Sequence, residues 1–177
     1  MAGKKISEPK ATRGIIKAED INNADIKPND LIEVSSVTAG ELVLIGGKTR
    51  RVYKWKDYGD IAYVEYQDLL AEKYNSSSRY LYDPLFVINS SEVIEQPDWS
   101  KVAKLYEHVL STDDINKLFS LDGATFERTL KGLPKGLRNS VKTIAASKIL
   151  DGSLDSISKI KAIDEILGSD LFNSYIG

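Results

Sequence analysis

The side chains able to do chemistry are few and scattered. Histidine occurs once, at His108, in a stretch patterned as an amphipathic helix with Leu105, Tyr106, Val109 and Leu110 around it. A lone imidazole there reads as a surface or boundary residue. A Ser-His-Asp relay or a His-pair metal site needs further partners, and no second His supplies one. The chain has no cysteine, which removes disulfides, thiolate nucleophiles and every sulfur-based zinc site. Carboxylates stand side by side at Asp113-Asp114 and Asp164-Glu165. General acid/base work needs two of them in different environments across a cleft, whereas neighbours on a helix point apart. Acids in a first helical turn also suit the helix dipole, so capping and solvation account for both pairs.

Gly46-Gly47-Lys48-Thr49 looks like the close of a phosphate-binding loop. That motif requires glycine five positions before Gly47, where the chain has Leu42, and it must open a helix. The segment lies between two predicted strands and reads as a hairpin turn. The inventory predicts no catalytic residue, no metal and no cofactor.

The strongest local signal is aromatic. Seven of the nine tyrosines (53, 58, 63, 66, 74, 80 and 82) and Trp55 fall between residues 53 and 82, with Arg50, Arg51, Lys54 and Lys56 among the first of them. Three readings stay open: an aromatic-filled small β core, a protein interface, or stacking on bases. Asp57, Asp60, Glu65 and Asp68 lie close by and would repel phosphate. As an interface, the candidate contacts are Arg50, Arg51, Tyr53, Trp55, Tyr58, Tyr63 and Tyr66. A second basic cluster, Lys4, Lys5, Lys10, Arg13 and Lys17 against the single acid Glu8, sits in residues 1–17. It reads as a solubilising tail or as an arm contacting a partner or nucleic acid.

The elements that must position these residues follow from periodicity and turn chemistry. Residues 1–29 are polar, aperiodic and end in Lys27-Pro28-Asn29-Asp30, the pattern of a flexible arm. Residues 30–96 read as a small β module. Leu31–Val34 and Glu41–Ile45 are strands around a turn at Thr38-Ala39-Gly40. Arg51–Lys56 alternates with period two, Asp57-Tyr58-Gly59-Asp60 turns, and Ile61–Tyr66 is a fourth strand. Gln67–Tyr74 has helical composition, and Leu85–Ile88 would return as a last strand. The pattern predicts a small antiparallel sheet or SH3-like barrel.

Residues 97–177 read as a compact helical domain. Asp98 is the expected N-cap of a helix over 99–109, and Ser111 or Thr112 that of one through Phe119. A third runs from about Asp122 to Leu130, and a fourth carries Leu137, Val141, Ile144, Ala145, Lys148 and Ile149 on one face. Asp155 is the expected cap of a helix striped by Ile157, Ile160, Ile163, Ile166 and Leu167, and residues 169–177 add a turn or short helix. The fold class is α+β.

Composition excludes little else. Apolar residues make up 42% and charged residues 28%, ordinary for a globular chain. Net charge is −2, so no global field draws the chain to nucleic acid or anionic lipid. No apolar run approaches the roughly 20 residues of a membrane span. The basic start at Met1–Lys5 lacks the apolar stretch of a secretory signal.

Several segments resemble small proteins of tailed bacteriophages. They are Val34 through Gly40-Glu41-Leu42-Val43, Tyr53 through Asp60, Val64 through Leu69, and Leu133-Pro134-Lys135-Gly136-Leu137 through Asp151–Ser156 and Ile163–Gly168. The resemblance covers most of residues 30–170 and is to virion-associated components of the capsid and head-tail region. It implies a structural protein in the virion, assembled in the host cytoplasm. Its implied partners are other virion proteins (capsid, portal or connector), with no catalytic residues to transfer. The alternative is a phage or host regulator binding nucleic acid or RNA polymerase through Lys135, Arg138, Lys142 and Lys148.

Overall fold

The computed structural model describes residues 26–107, 109 and 112–176, with backbone alone at 112 and 113. The arm residues Lys4, Lys5, Lys10, Arg13 and Lys17, and His108, lie outside the described residues.

The architecture is α+β, with small antiparallel sheets followed by helices. Among the described residues five strands form, β1 (Leu31–Ser36), β2 (Leu42–Ile45), β3 (Val52–Trp55), β4 (Ile61–Glu65) and β5 (Phe86–Ile88). β1 is central in a sheet of order β4-β1-β5, both pairings antiparallel, with Ser35 opposite Ile61 on one side and Val87 on the other. β2 and β3 make a hairpin with Leu42 opposite Trp55 and Ile45 opposite Val52. Asp57 and Asp60 shape the β3–β4 turn. Asp57 Oδ1 accepts the Gly40 and Tyr58 amides at 2.8 and 2.7 Å, and Asp60 Oδ2 accepts the Lys56 amide at 2.8 Å. Gly59 takes a φ of +79° there, open to glycine at no steric cost.

The first core lies between the strands and the helices that follow, α1 (Tyr66–Tyr74), α2 (Arg79–Tyr82), α3 (Ser91–Ile94) and α4 (Ser100–Tyr106). Trp55 is at its centre. Its ring stacks on Phe86 with centroids 5.6 Å apart, and its Nε1 donates to the Val34 carbonyl at 2.8 Å. The second core belongs to α5 (Thr112–Leu118), α6 (Gly123–Gly132), α7 (Lys135–Leu150) and α8 (Ile157–Leu167), with α9 (Leu171–Ile176) against α8. Leu137, Val141 and Ala145, four residues apart on α7, all point into it. No described helix is long and apolar enough to cross a membrane.

The two cores interlock. Val37 is buried in the second core, and Tyr58 and Val87 pack against it. From α7, Ser140 Oγ donates to the Val37 carbonyl at 2.7 Å and accepts the Ala39 amide at 3.2 Å. Asp83 Oδ1 accepts the Gly136 amide at 2.7 Å. A Cβ on Gly136 would lie 2.6 and 2.7 Å from the Pro84 and Asp83 carbonyl oxygens, so only glycine lets α7 start this close.

Three helix boundaries differ from expectation. Asp98 does not cap a helix over 99–109. Pro97–Trp99 form a 3-10 turn, α4 ends at Tyr106, and the Asp98 carboxylate turns away to Lys73. α6 runs through Gly132, its start capped by Asp122 accepting the Thr125 amide at 3.1 Å. α8 begins after Ser156 without a side-chain cap, so Asp155 is not its cap.

Candidate protein-interaction face

Gly46–Thr49 is a hairpin turn: the Gly46 amide closes it on the Arg51 carbonyl at 2.8 Å, and the Lys48 and Thr49 donors are directed at one carboxylate. Asp68 on α1 is fully buried. Its Oδ1 accepts the Lys48 and Thr49 amides at 2.8 and 3.0 Å, and its Oδ2 accepts the Thr49 hydroxyl at 2.5 Å and the Tyr53 hydroxyl at 2.7 Å. Burial alone would push the pKa of this carboxyl up, because it penalises the charged form. The hydrogen bonds from Thr49, Tyr53 and Lys48 outweigh it and hold the group below the usual carboxylate range. A Cβ on Gly46 would collide with that carboxylate. The glycine therefore makes room for Asp68, and the place an anion would take is filled from within the chain.

Strand phase divides the predicted aromatic cluster. Tyr53, Trp55 and Tyr66 are core residues and cannot touch a partner's surface, which corrects the expectation that they belong to the docking face. The reason is alternation: β3 is exposed, buried, exposed, buried along Val52–Trp55, so the aromatic phase faces inward. Tyr66, at the start of α1, packs beside Trp99 with centroids 6.3 Å apart. Tyr58 is half-buried at the junction of the cores. Its phenol is pushed up by burial and by the nearby Asp114 charge. Arg50, Arg51 and Tyr63 are exposed. Arg50 sits at φ +61° in the hairpin turn, and Arg51 pairs with Glu65 at 2.6 Å.

The outward phase carries what the aromatic pattern missed. Leu31, Ile45, Val52, Ile61 and Tyr63 are each 49–59% exposed. They stand on the outward phases of β2, β3, β4 and β1, and β3 lies against β4 although the two belong to different sheets. Ile45 and Val52 are opposite one another in the hairpin, and Tyr63 is opposite Glu33 on β1. On a solvated sheet the outward phase is normally polar. Together the five residues leave on the order of 500 Å² to water, spread over the two sheets. The detectable signal was the second phase of Arg51–Lys56, in which Val52 stands beside Lys54.

Charge is arranged to either side. Lys54 on β3 reaches Glu41 at 3.8 Å. On β1, Glu33 is hydrogen-bonded by neutral groups, Asn89 Nδ2 at 2.9 Å and the Tyr63 hydroxyl at 3.4 Å. Next to Asn89, between the β1–β5 end and the stretch after α4, opens a cleft of about 400 Å³ lined by Ser35, Tyr58, Val87, Tyr106 and Val109 among others. Burial pushes the Tyr106 phenol up and keeps it protonated.

Of the four α7 cations Lys135 is exposed, and the other three make contacts within the fold. Arg138 donates to the Leu133 and Lys131 carbonyls at 2.8 and 2.9 Å, fastening the end of α6. Lys142 Nζ lies 3.4 Å from the Leu167 carbonyl, and Lys148 Nζ sits 5.6 Å from the Phe119 ring centroid. Asp164, of the Asp164-Glu165 pair, caps α9 by accepting the Leu171 and Phe172 amides at 2.8 and 2.9 Å.

Compared with known proteins, the chain matches no family model, no curated protein and no solved structure.

Proposed function

We propose that this chain is a non-catalytic structural or assembly component of a phage virion, in the capsid or head-tail region, acting through protein–protein contacts. The observation that carries the reading is the set of outward-facing Leu31, Ile45, Val52, Ile61 and Tyr63 on the small β module. Apolar surface of that size on a scaffold tied to a second core suits a rigid docking element more than a flexible adaptor. The likeness of residues 30–170 to virion-associated proteins supplies the partner class: capsid, portal or connector. The nucleic-acid alternative has less support, because Arg138, Lys142 and Lys148 spend their contacts on α6, α8 and Phe119.

Mass spectrometry of purified particles of the phage that encodes this chain tests the proposal. Stoichiometric presence in the particle is the expected result. Absence from intact particles, with the chain present in the infected cell, overturns it.

A further inference from the structure

We infer that the outward face of β1, β2, β3 and β4 is a two-fold contact between two copies of this chain. The inference rests on the reading that the chain acts by protein contacts, and it names one partner as the chain itself.

Three observations carry it. The first is area. A stable interface covers about 800 Å² on each partner, somewhat over half of it apolar. The five exposed residues supply on the order of 500 Å² of apolar and aromatic surface, and a rim including Lys54, Glu33 and Asn89 supplies the polar remainder.

The second is the placement of charge. β4 lies between β1 and β3: Tyr63 on it is in register with the anionic Glu33 of β1, and β3 on its other side carries Lys54, whose exposed ammonium also reaches Glu41 at 3.8 Å. A two-fold axis through Tyr63 lays β3 of one copy over β1 of the other. That sets each Lys54 against the opposite copy's Glu33, so one patch complements itself. A foreign partner of a single charge sign would match only half of such a face.

The third is how Glu33 is held. Asn89 and Tyr63 orient its carboxylate without neutralising it. It is thereby poised for a cation from outside the strand pair.

Sedimentation equilibrium on the full chain, across a wide concentration range, reads the mass directly. The wild type is expected at twice 19.6 kDa. Tyr63→Arg places two cations at the axis and is expected to weaken association by roughly 30-fold or more, as loss of a central contact does. Val52→Arg is expected to act alike, and circular dichroism checks that both remain folded. Lys54→Glu and Glu33→Lys are each expected to weaken self-association alone, while an equimolar mixture of the two restores it as a mixed dimer. A wild type that stays monomeric throughout overturns the inference, as does a dimer insensitive to both arginine variants.

The two proposals fail separately. A monomer whose Tyr63→Arg variant no longer enters particles keeps the virion role and removes the dimer. A dimer that is absent from particles does the reverse.

Discussion

Replacing Asp68 with asparagine keeps the shape of the side chain and removes its charge. Four donors converge on this fully buried carboxylate, two amides and two hydroxyls. Asparagine keeps one accepting oxygen for the two amides and turns an NH2 toward the two hydroxyls, which must rotate to accept. Hydrogen bonds to a charged group contribute about 1.5–3 kcal/mol each and neutral ones about 0.5–1.5, so each is weakened by about 1 kcal/mol. An amide is easier to bury than a carboxylate, which offsets part of the loss. The expected net cost of Asp68→Asn is about 2–3 kcal/mol, or roughly 5–10 °C in Tm for a chain of this size. Urea unfolding followed by circular dichroism measures it.

The pH dependence gives a second readout of the same substitution. Because Asp68 titrates below its ordinary value in the folded chain, the unfolded state binds more protons there, and stability rises with pH through that window. Asp68's contribution is fully present above the unfolded pKa of about 3.9 and is lost as the pH falls through the folded value. Asp57 and Asp164 are also held low by amides they accept. The asparagine variant should therefore keep an acid limb, but a shallower one. A variant within about 0.5 kcal/mol of wild type, or one with an unchanged acid slope, would refute the role assigned to this carboxylate.

Two further substitutions test the packing. Gly136→Ala forces a methyl against the Asp83 and Pro84 carbonyls, and should lower the urea midpoint by the equivalent of about 1–3 kcal/mol; an unchanged midpoint would mean that α7 does not dock there. Trp55→Phe removes the bond to the Val34 carbonyl and part of the ring stacked on Phe86, for an expected loss of about 1–3 kcal/mol. Because Trp55 is buried, the folded variant should self-associate like the wild type in sedimentation. Weakened association with unchanged stability would return Trp55 to the interface.

How far the sequence speaks depends on the range of the interaction involved. The strands around Leu42–Ile45 and Val52–Trp55, the turn at Asp57–Asp60 and the stripe on α7 are local matters of period and turn chemistry, and they were legible residue by residue. So was the hairpin reading of Gly46–Thr49, since the phosphate-loop spacing fails at Leu42. The acceptor for that turn was not, because Asp68 lies some twenty residues away on α1 and only folding brings it beneath Gly46. Alternation also leaves phase undecided. Arg51–Lys56 reads equally well with its aromatic residues facing a partner or facing a core, and it is the packing of Phe86 and the helices over Trp55 that decides. Capping went astray at Asp98 for the same reason: Lys73, distant in the chain, captures the carboxylate. Composition and spacing determined an α+β chain with sparse chemistry. Tertiary packing alone decided which side chains face water, because burial is settled between segments that no local pattern connects.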